Sequence, residues 1–295
     1  MESHDVIIVG GGPTGLSAAR RLADLGIRDV VVLEREAEAG GIPRHCGHLG
    51  FGWQSHRRLW SGPRFAAELR KSASGLDVRT ATTVIELSRD GQLRVQGSTG
   101  MSEMKAKHVL IATGTRETPR APRLVGGARP QGVMNTGALQ QHVYRYHNKP
   151  FERPVIIGSE LVSFSALLTC RHLGIRPVAM LEENPRISTQ RPGGLIARFI
   201  FGVPVRTSTK LIAIEGHKNV EAVEIERRGK REHIACDGVI FTGQFRPENA
   251  LMPAGPPSEK FSISGNAKGP LKTSGECWLQ GVSAAEDIAR RLPRK

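Results

Sequence analysis

The first 34 residues carry a pattern that few folds can accommodate. An apolar, β-type run, Asp5–Val9, leads into "GGGPTG" at Gly10–Gly15, then "LSAARRLADLG", then a second apolar run, "DVVVLE", at 29–34. Gly10, Gly12 and Gly15 form G-x-G-x-x-G between a strand and a helix. The first glycine permits a tight turn, the second lets a backbone approach a pyrophosphate, and the third lets helix and strand pack closely. In the helix, Leu16, Ala19 and Ala23 share one face, Arg20, Arg21 and Asp24 turn outward, and Gly26 is the expected stop. The second run reads as a strand buried on both faces of a parallel sheet. Strand, turn, helix and strand in about 30 residues make a βαβ unit.

A helix start offers unpaired amides to anions, and Glu34 stands 19 residues after Gly15, where a carboxylate can accept from a pair of ribose hydroxyls. Glycines alone would be weak evidence of a dinucleotide site. Strand, helix and acid in register make the signal strong.

The pattern recurs at 155–181, as "VIIG", a helix through His172, Gly174 and "IRPVAML". Two such units about 150 residues apart predict two nucleotide-type α/β folds in tandem. In the second turn only Gly158 survives, with Glu160 at the second glycine position and Ser163 at the third. Ser163 is small enough to pack. Glu160 would set a carboxylate against a pyrophosphate, which at about 4 Å and an effective dielectric near 20 costs about 4 kcal/mol, or about a thousandfold in affinity. Glu182 and Glu183 lie where an NAD-type acid would, without the arginines that a 2′-phosphate needs. NADPH is disfavoured, NADH would need an unusual pose, and a retained but empty fold is the leading reading.

Between the units, the pattern predicts a loop over 40–64, a helix over 64–73, short strands near 76–96 and the strand-like "HVLIATGT" at 108–115. Strands near 211–227, "DGVIFTGQFRP" and a final helix follow the second unit. No apolar run nears the roughly 18 residues of a membrane span, and the start "MESHD" lacks a signal peptide's basic opening. A cytoplasmic protein is expected. The net charge of +14 comes from scattered Arg and Lys with few aromatics between them, so a basic surface or a docking face for an acidic partner is favoured over nucleic acid. Cys46, Cys170, Cys236 and Cys277 form no C-x-x-C pair, which argues against disulfides and structural zinc.

Three segments, "VIIVGGGPTG…VVVLE", "VLIATGTRETP" and "SGNAKGPLKTSGECWLQG", together resemble the FAD-containing oxidoreductases with two dinucleotide-binding domains, the pyridine nucleotide-disulfide oxidoreductase superfamily. The resemblance implies two Rossmann-like three-layer domains, the second inserted in the first: an FAD-binding domain over 1–120 and 246–295, and an NAD(P)-binding-like domain over 121–245. It implies FAD contacts from Gly10, Gly12, Pro13, Thr14, Gly15, Glu34 and Arg35, from Gly41, Arg44 and His45, from Val84, Ala112, Thr113 and Gly114, and from Gly265, Asn266 and Thr273. Asn266 stands where the wider family commonly has an acid. "GGIPRHCGH" at 40–48 and the "GECWLQG" ending look most like the flavin subunits of opine oxidase, hydrogen cyanide synthase and D-hydroxyproline dehydrogenase. Those subunits relay electrons from a partner that oxidises an amine. The link "MPAGPPSEKF", 252–261, is shorter than relatives usually have.

Only Cys46 occupies the loop where disulfide reductases keep a redox pair, and a single thiol cannot cycle alone. Cys46, His45 and His48 are spaced too tightly for a common metal site, and no metal is expected. They are read as loop residues beside the flavin, with Arg44 countering phosphate or flavin charge, and His48 and Cys46 as the candidate catalytic pair. Three functions compete: an FAD-dependent subunit taking electrons from an amine or amino-acid dehydrogenase partner, a stand-alone NAD(P)H:acceptor oxidoreductase, and a non-catalytic scaffold.

Overall fold

The computed structural model describes residues 1–189, 197, 199–255 and 258–292; Pro256 and Pro257 of the short link lie outside them. The chain divides into two compact units. The first takes Met1–Arg44, Leu49–Arg116 and Arg246–Lys295, and the second takes His45–His48 and Glu117–Phe245.

In the first unit, strand β1 (Glu2–Val9), helix α1 (Pro13–Asp24) and strand β2 (Val30–Leu33) form the expected βαβ unit. β1 pairs in parallel with β2 on one side and with the strand Gly100–Ile111 on the other. Asp77–Arg79 extends the sheet beyond β2, and Phe261–Ile263 adds in parallel to Gly100–Ile111. The period of two explains why residues 6–9 and β2 are apolar at every position. Val6, Ile8, Val30 and Val32 face one core with Leu16, Leu22, Phe65 and Ile288, while Ile7, Val9, Val31 and Leu33 face another with Val84, Leu93, Val109 and Phe261. Both faces are covered.

α1 is buried more widely than its single predicted stripe, because the last helix, Ser274–Arg291, lies across it. Arg21, expected to point outward, pairs with Glu286 of that helix at 2.7 Å. A Cβ on Gly281 would meet Ser17 Oγ and the Thr14 carbonyl at 2.1 Å, so only glycine allows the approach. Thr14 Oγ1 donates to the Cys277 carbonyl at 3.0 Å and Ser17 Oγ to that of Trp278 at 2.8 Å. Gly26 ends α1 with a left-handed φ of +84°.

The second unit holds a five-stranded parallel sheet in the order Val133–Asn135, Gly238–Phe241, Pro154–Ile157, Ala179–Leu181, Val205–Arg206. The helix Leu161–His172 follows its turn. A smaller sheet pairs Thr209–Glu215, Ala222–Arg227 and Lys230–Ala235 antiparallel. Both units are thus Rossmann-like α/β layers. Among the described residues no helix is long and apolar enough to cross a membrane.

Candidate functional site: two glycine turns compared

At the first turn, backbone crowding makes the glycines obligatory. A Cβ on Gly15 would sit 1.8 Å from the Gly10 carbonyl oxygen, and one on Gly10, whose φ is +111°, would sit 2.5 Å from that of Ala112. Gly41 approaches from the following loop, where a Cβ would come within 2.9 Å of Gly12 Cα. Gly12 N-caps α1 without a side-chain acceptor, so the first-turn amides remain available to an anion. Glu34 is buried and accepts the Gly11 amide on Oε2 at 2.8 Å and the Glu36 amide on Oε1 at 2.9 Å. That aims the carboxylate, and each oxygen keeps a lone pair for a ribose hydroxyl.

These residues open onto a cleft of 340 Å³ within the first unit. Gly10, Gly12, Pro13, Thr14, Glu34, Arg35, Gly41, Val84, Ala112, Thr113, Gly114 and Asn266 line it together, with the start of the last helix at Ser274 and Cys277. Gly15 lies beneath the turn. Gly265 backs onto Thr14, where a Cβ would meet Oγ1 at 2.2 Å. Thr273 caps the last helix in a reciprocal capping box with Glu276. Asn266 holds its own loop, accepting the Lys272 amide at 2.7 Å and donating to the Lys272 carbonyl at 3.1 Å. Thr113 Oγ1 donates to the Glu248 carbonyl and the Glu248 amide to that of Gly114, closing the mouth. The sequence pattern missed Glu248, Ala250 and Leu251, which reach the cleft only after the chain has built the whole second unit.

Arg44 departs from its expected role. Its guanidinium is paired with Glu36 and lies 3.8 Å from Glu38, so its charge is balanced within the unit rather than turned to a phosphate. His45, Cys46 and His48 group with the second unit and do not line this cleft. There Cys46 Sγ donates to Gln140 Oε1 at 3.2 Å, Gln140 Nε2 donates to Ser165 Oγ at 2.8 Å, and Ser165 Oγ meets His48 Nε2 at 2.7 Å. Burial first, and the neighbouring Glu117 second, push the Cys46 thiol up to about 12 against the Gln140 contact. It is a protonated core thiol at neutral pH, unlike a redox-active cysteine. None of the four cysteines is in a disulfide, and all four are buried. Among the described residues no group of three His, Cys, Asp or Glu could hold a metal.

The second turn repeats the frame with different contents. Gly158 has φ +112°, as Gly10 has +111°. Ser163, in the third glycine's place, turns its hydroxyl to Thr242 Oγ1 at 2.7 Å. Glu160 N-caps the helix and swings its carboxylate over Gly243, where a Cβ would lie 2.2 Å from Oε1. Oε1 accepts the Gln244 amide at 3.1 Å, and Gln244 is a non-glycine held at φ +49°. Glu182, the counterpart of Glu34, receives Ser159 Oγ, Ser188 Oγ at 3.0 Å, the Asn184 amide at 2.9 Å and Asn184 Nδ2 at 2.8 Å. Burial opposes ionisation of Glu182, yet these donors hold its carboxyl below the usual range. Ser188 and Thr189 also fold back onto Ser159, the first with its amide to Oγ at 2.8 Å, the second with its amide to the carbonyl at 3.1 Å. Glu160 and Glu182 are thus both engaged by donors of the chain itself.

Residues 4–294 match the family described as "Pyridine nucleotide-disulphide oxidoreductase". The chain belongs to this family. As a pyridine nucleotide-disulphide oxidoreductase it is a flavoprotein oxidoreductase by class; FAD binding characterises the family, and NAD(P) binding is also typical of it. The first cleft fits FAD, with a glycine cradle for the pyrophosphate and a carboxylate for the ribose. Among curated relatives, the chain is 26% identical to the alpha subunit of sarcosine oxidase from Rhizobium meliloti (strain 1021), over 98% of this chain and 30% of that protein. It is 28% identical to the opine oxidase A subunit of the same strain, over 62% of this chain and 39% of that protein. The matched segments thus cover well under half the length of either relative. Ferredoxin–NADP reductase of Leuconostoc citreum (strain KM20) is 33% identical over 86% of this chain and 75% of that protein. The fold superposes on thioredoxin reductase of T. acidophilum with a TM-score of 0.79 at 20% identity, covering 98% and 99% of the two chains.

Proposed function

We propose that this chain is the FAD-bearing subunit of a heteromeric oxidoreductase, taking electrons from a partner protein that oxidises an amine or amino acid. The observation that carries the reading is the contrast between the turns: the first is open, with an aimed Glu34, and the second is filled by its own Glu160, Ser188 and Thr189. A flavin domain whose nicotinamide domain is occupied from within must draw its electrons elsewhere. The likeness to sarcosine and opine oxidase subunits supports the partner and the substrate class.

When bound, FAD supplies the electron-pair acceptor. The protein's part is to hold it: the α1 amides for the pyrophosphate, Glu34 for the ribose, Arg35 toward the adenosine end and Asn266 for the ribityl chain. The inserted-domain boundaries follow the same assignment, with the flavin domain as the first unit. His48, backed by Ser165, is the candidate group for handling a proton. Cys46 is a protonated neighbour in that hydrogen-bonded line rather than a nucleophile.

Adding NADH or NADPH anaerobically to the flavin-loaded protein tests the reading. The flavin absorbance should persist for minutes, and bleaching within seconds by either coenzyme would sink it. The likeness to ferredoxin–NADP reductase favours a second reading, in which NAD(P)H reduces the flavin directly; the same titration separates the two.

A further inference from the structure

A second and larger cleft, 560 Å³, lies in the first unit apart from the glycine turn. Its floor is the strand Phe261–Ile263, which among the described residues pairs on one side only, with Gly100–Ile111. One wall is a face of the last helix, where Gln280, Asp287 and Arg291 recur at helical spacing. The opposite wall includes Met252, Pro253 and Gly255 with Arg89, whose guanidinium donates to the Ala254 carbonyl at 2.6 Å. A Cβ on Gly255 would lie 1.9 Å from Arg89 Nη1, so the glycine leaves room for that side chain.

Its charge is one-sided. Arg89, Lys268 and Arg291 converge on it, and the one acid among its described lining residues, Asp287, is already paired with Arg290. The helix C-terminus brings a partial negative charge here, which Arg290 and Arg291 offset. Among its uncharged groups, Ser262 is set up as an acceptor. Gln280 Oε1 is sealed in the wall without a hydrogen-bond donor. Ser262 Oγ lies 2.8 Å from Nε2 of the buried His108. Burial first lowers His108 to about 4, against a hydrogen bond to the Glu259 backbone and helped by the positive Arg291. A neutral His108 that donates from Nδ1 to that carbonyl takes the Ser262 proton at Nε2. The serine oxygen then has only lone pairs to offer.

We propose that this cleft binds a small organic acid that also carries a hydrogen-bond donor, with its acid groups on Arg89, Lys268 and Arg291 and its hydroxyl or ammonium on the oxygen of Ser262. The volume lies within the ~300–1,000 Å³ of small-molecule sites. The proposal stands whether or not the flavin is reduced through a partner.

The test uses the full chain saturated with FAD, so that the glycine turn is filled. Calorimetry compares citrate with tricarballylate, the same triacid without the hydroxyl. Citrate should saturate a single site without disturbing the flavin spectrum, and tricarballylate should bind about 3- to 10-fold more weakly, the equivalent of one neutral hydrogen bond. Lys268→Glu and Arg291→Glu, both at exposed positions, should each weaken citrate by about tenfold or more. Their thermal midpoints report that the fold is kept. Absence of saturable citrate binding, indifference to the charge reversals, equal affinity for the two acids, or binding of inorganic phosphate as tight as citrate would each overturn the proposal.

Discussion

Replacing Glu160 by Gln removes one negative charge while keeping an oxygen that can accept the Gln244 amide, now 3.1 Å away. If the carboxylate sits about 4 Å from where a pyrophosphate would lie, the repulsion removed is about 4 kcal/mol at an effective dielectric of 20. Partial exposure of Glu160 reduces this to about 2–4 kcal/mol. NADH affinity should therefore rise about 30- to 1,000-fold over the unmodified chain. Full affinity should not return, because Glu182 still holds four donors and Ser188 and Thr189 still cover Ser159. Glu160→Gly should gain no more than Gln and should cost about 1–2 kcal/mol of stability, since the left-handed Gln244 loses its acceptor. NADH titration of the FAD-loaded variants, followed by nicotinamide fluorescence, measures the ratio. Glu183→Gln is the control, its carboxylate being exposed and 4.0 Å from Lys210. A change below about threefold for Glu160→Gln, or an equal gain from Glu183→Gln, would refute the electrostatic account.

Other outcomes follow from the same contacts. Gly15→Ala places a methyl 1.8 Å from the Gly10 carbonyl oxygen, so the purified protein should be colourless or misfolded, as flavin absorbance and the thermal midpoint will report. Gly281→Val drives side-chain atoms into Ser17 and Thr14 and should destabilise by about 1–3 kcal/mol in urea unfolding. Cys46, pushed up to about 12, is about one part in ten thousand thiolate at pH 8 and should react with a disulfide reagent only as fast as the chain opens. Burial raises the Glu117 carboxyl, with the Gly137 and Gly243 amides and Thr136 opposing. The native chain then binds a proton that the unfolded chain has released, so stability should fall as pH rises from the ordinary carboxylate range through the raised value. Glu117→Gln should flatten that slope in urea midpoints taken from pH 4.5 to 6.5.

The first βαβ unit was legible because its restraints are local. A residue that must take φ near +111° with a carbonyl 2.5 Å from its absent Cβ can only be glycine, and a four-residue strand buried on both faces can only be apolar. The second unit was legible for the same reason, through a strand, a Gly158 held at φ +112° and a helix in the same order. What escaped depends on partners far along the chain. Nothing near Arg21 announces Glu286, and nothing near Ser17 announces Gly281. Arg44 looked like a phosphate ligand because the sequence places it beside glycines, whereas its partner, Glu36, is set by how that loop folds back. His45–His48 follow Arg44 without a break, yet the contacts assign them to the other unit.

The two turns share a frame and differ in what their matching positions hold. Gly10 and Gly158 share the same φ, and Glu34 and Glu182 each follow the second strand of their unit's βαβ frame. The difference lies in which groups reach those acids. Glu34 takes two backbone amides and retains capacity for a ligand. Glu182 takes two hydroxyls, an amide and a carboxamide, three of them from residues 184–188, which have closed over the turn. Restoring a site would therefore need that segment opened as well as a charge removed. Adding Ser188→Ala to Glu160→Gln, which frees one Glu182 oxygen from a donor, should raise NADH affinity further, by about 3- to 10-fold for one ribose hydrogen bond. A double variant no better than Glu160→Gln in the same fluorescence titration would show that the segment, rather than the donors on Glu182, keeps the nucleotide out.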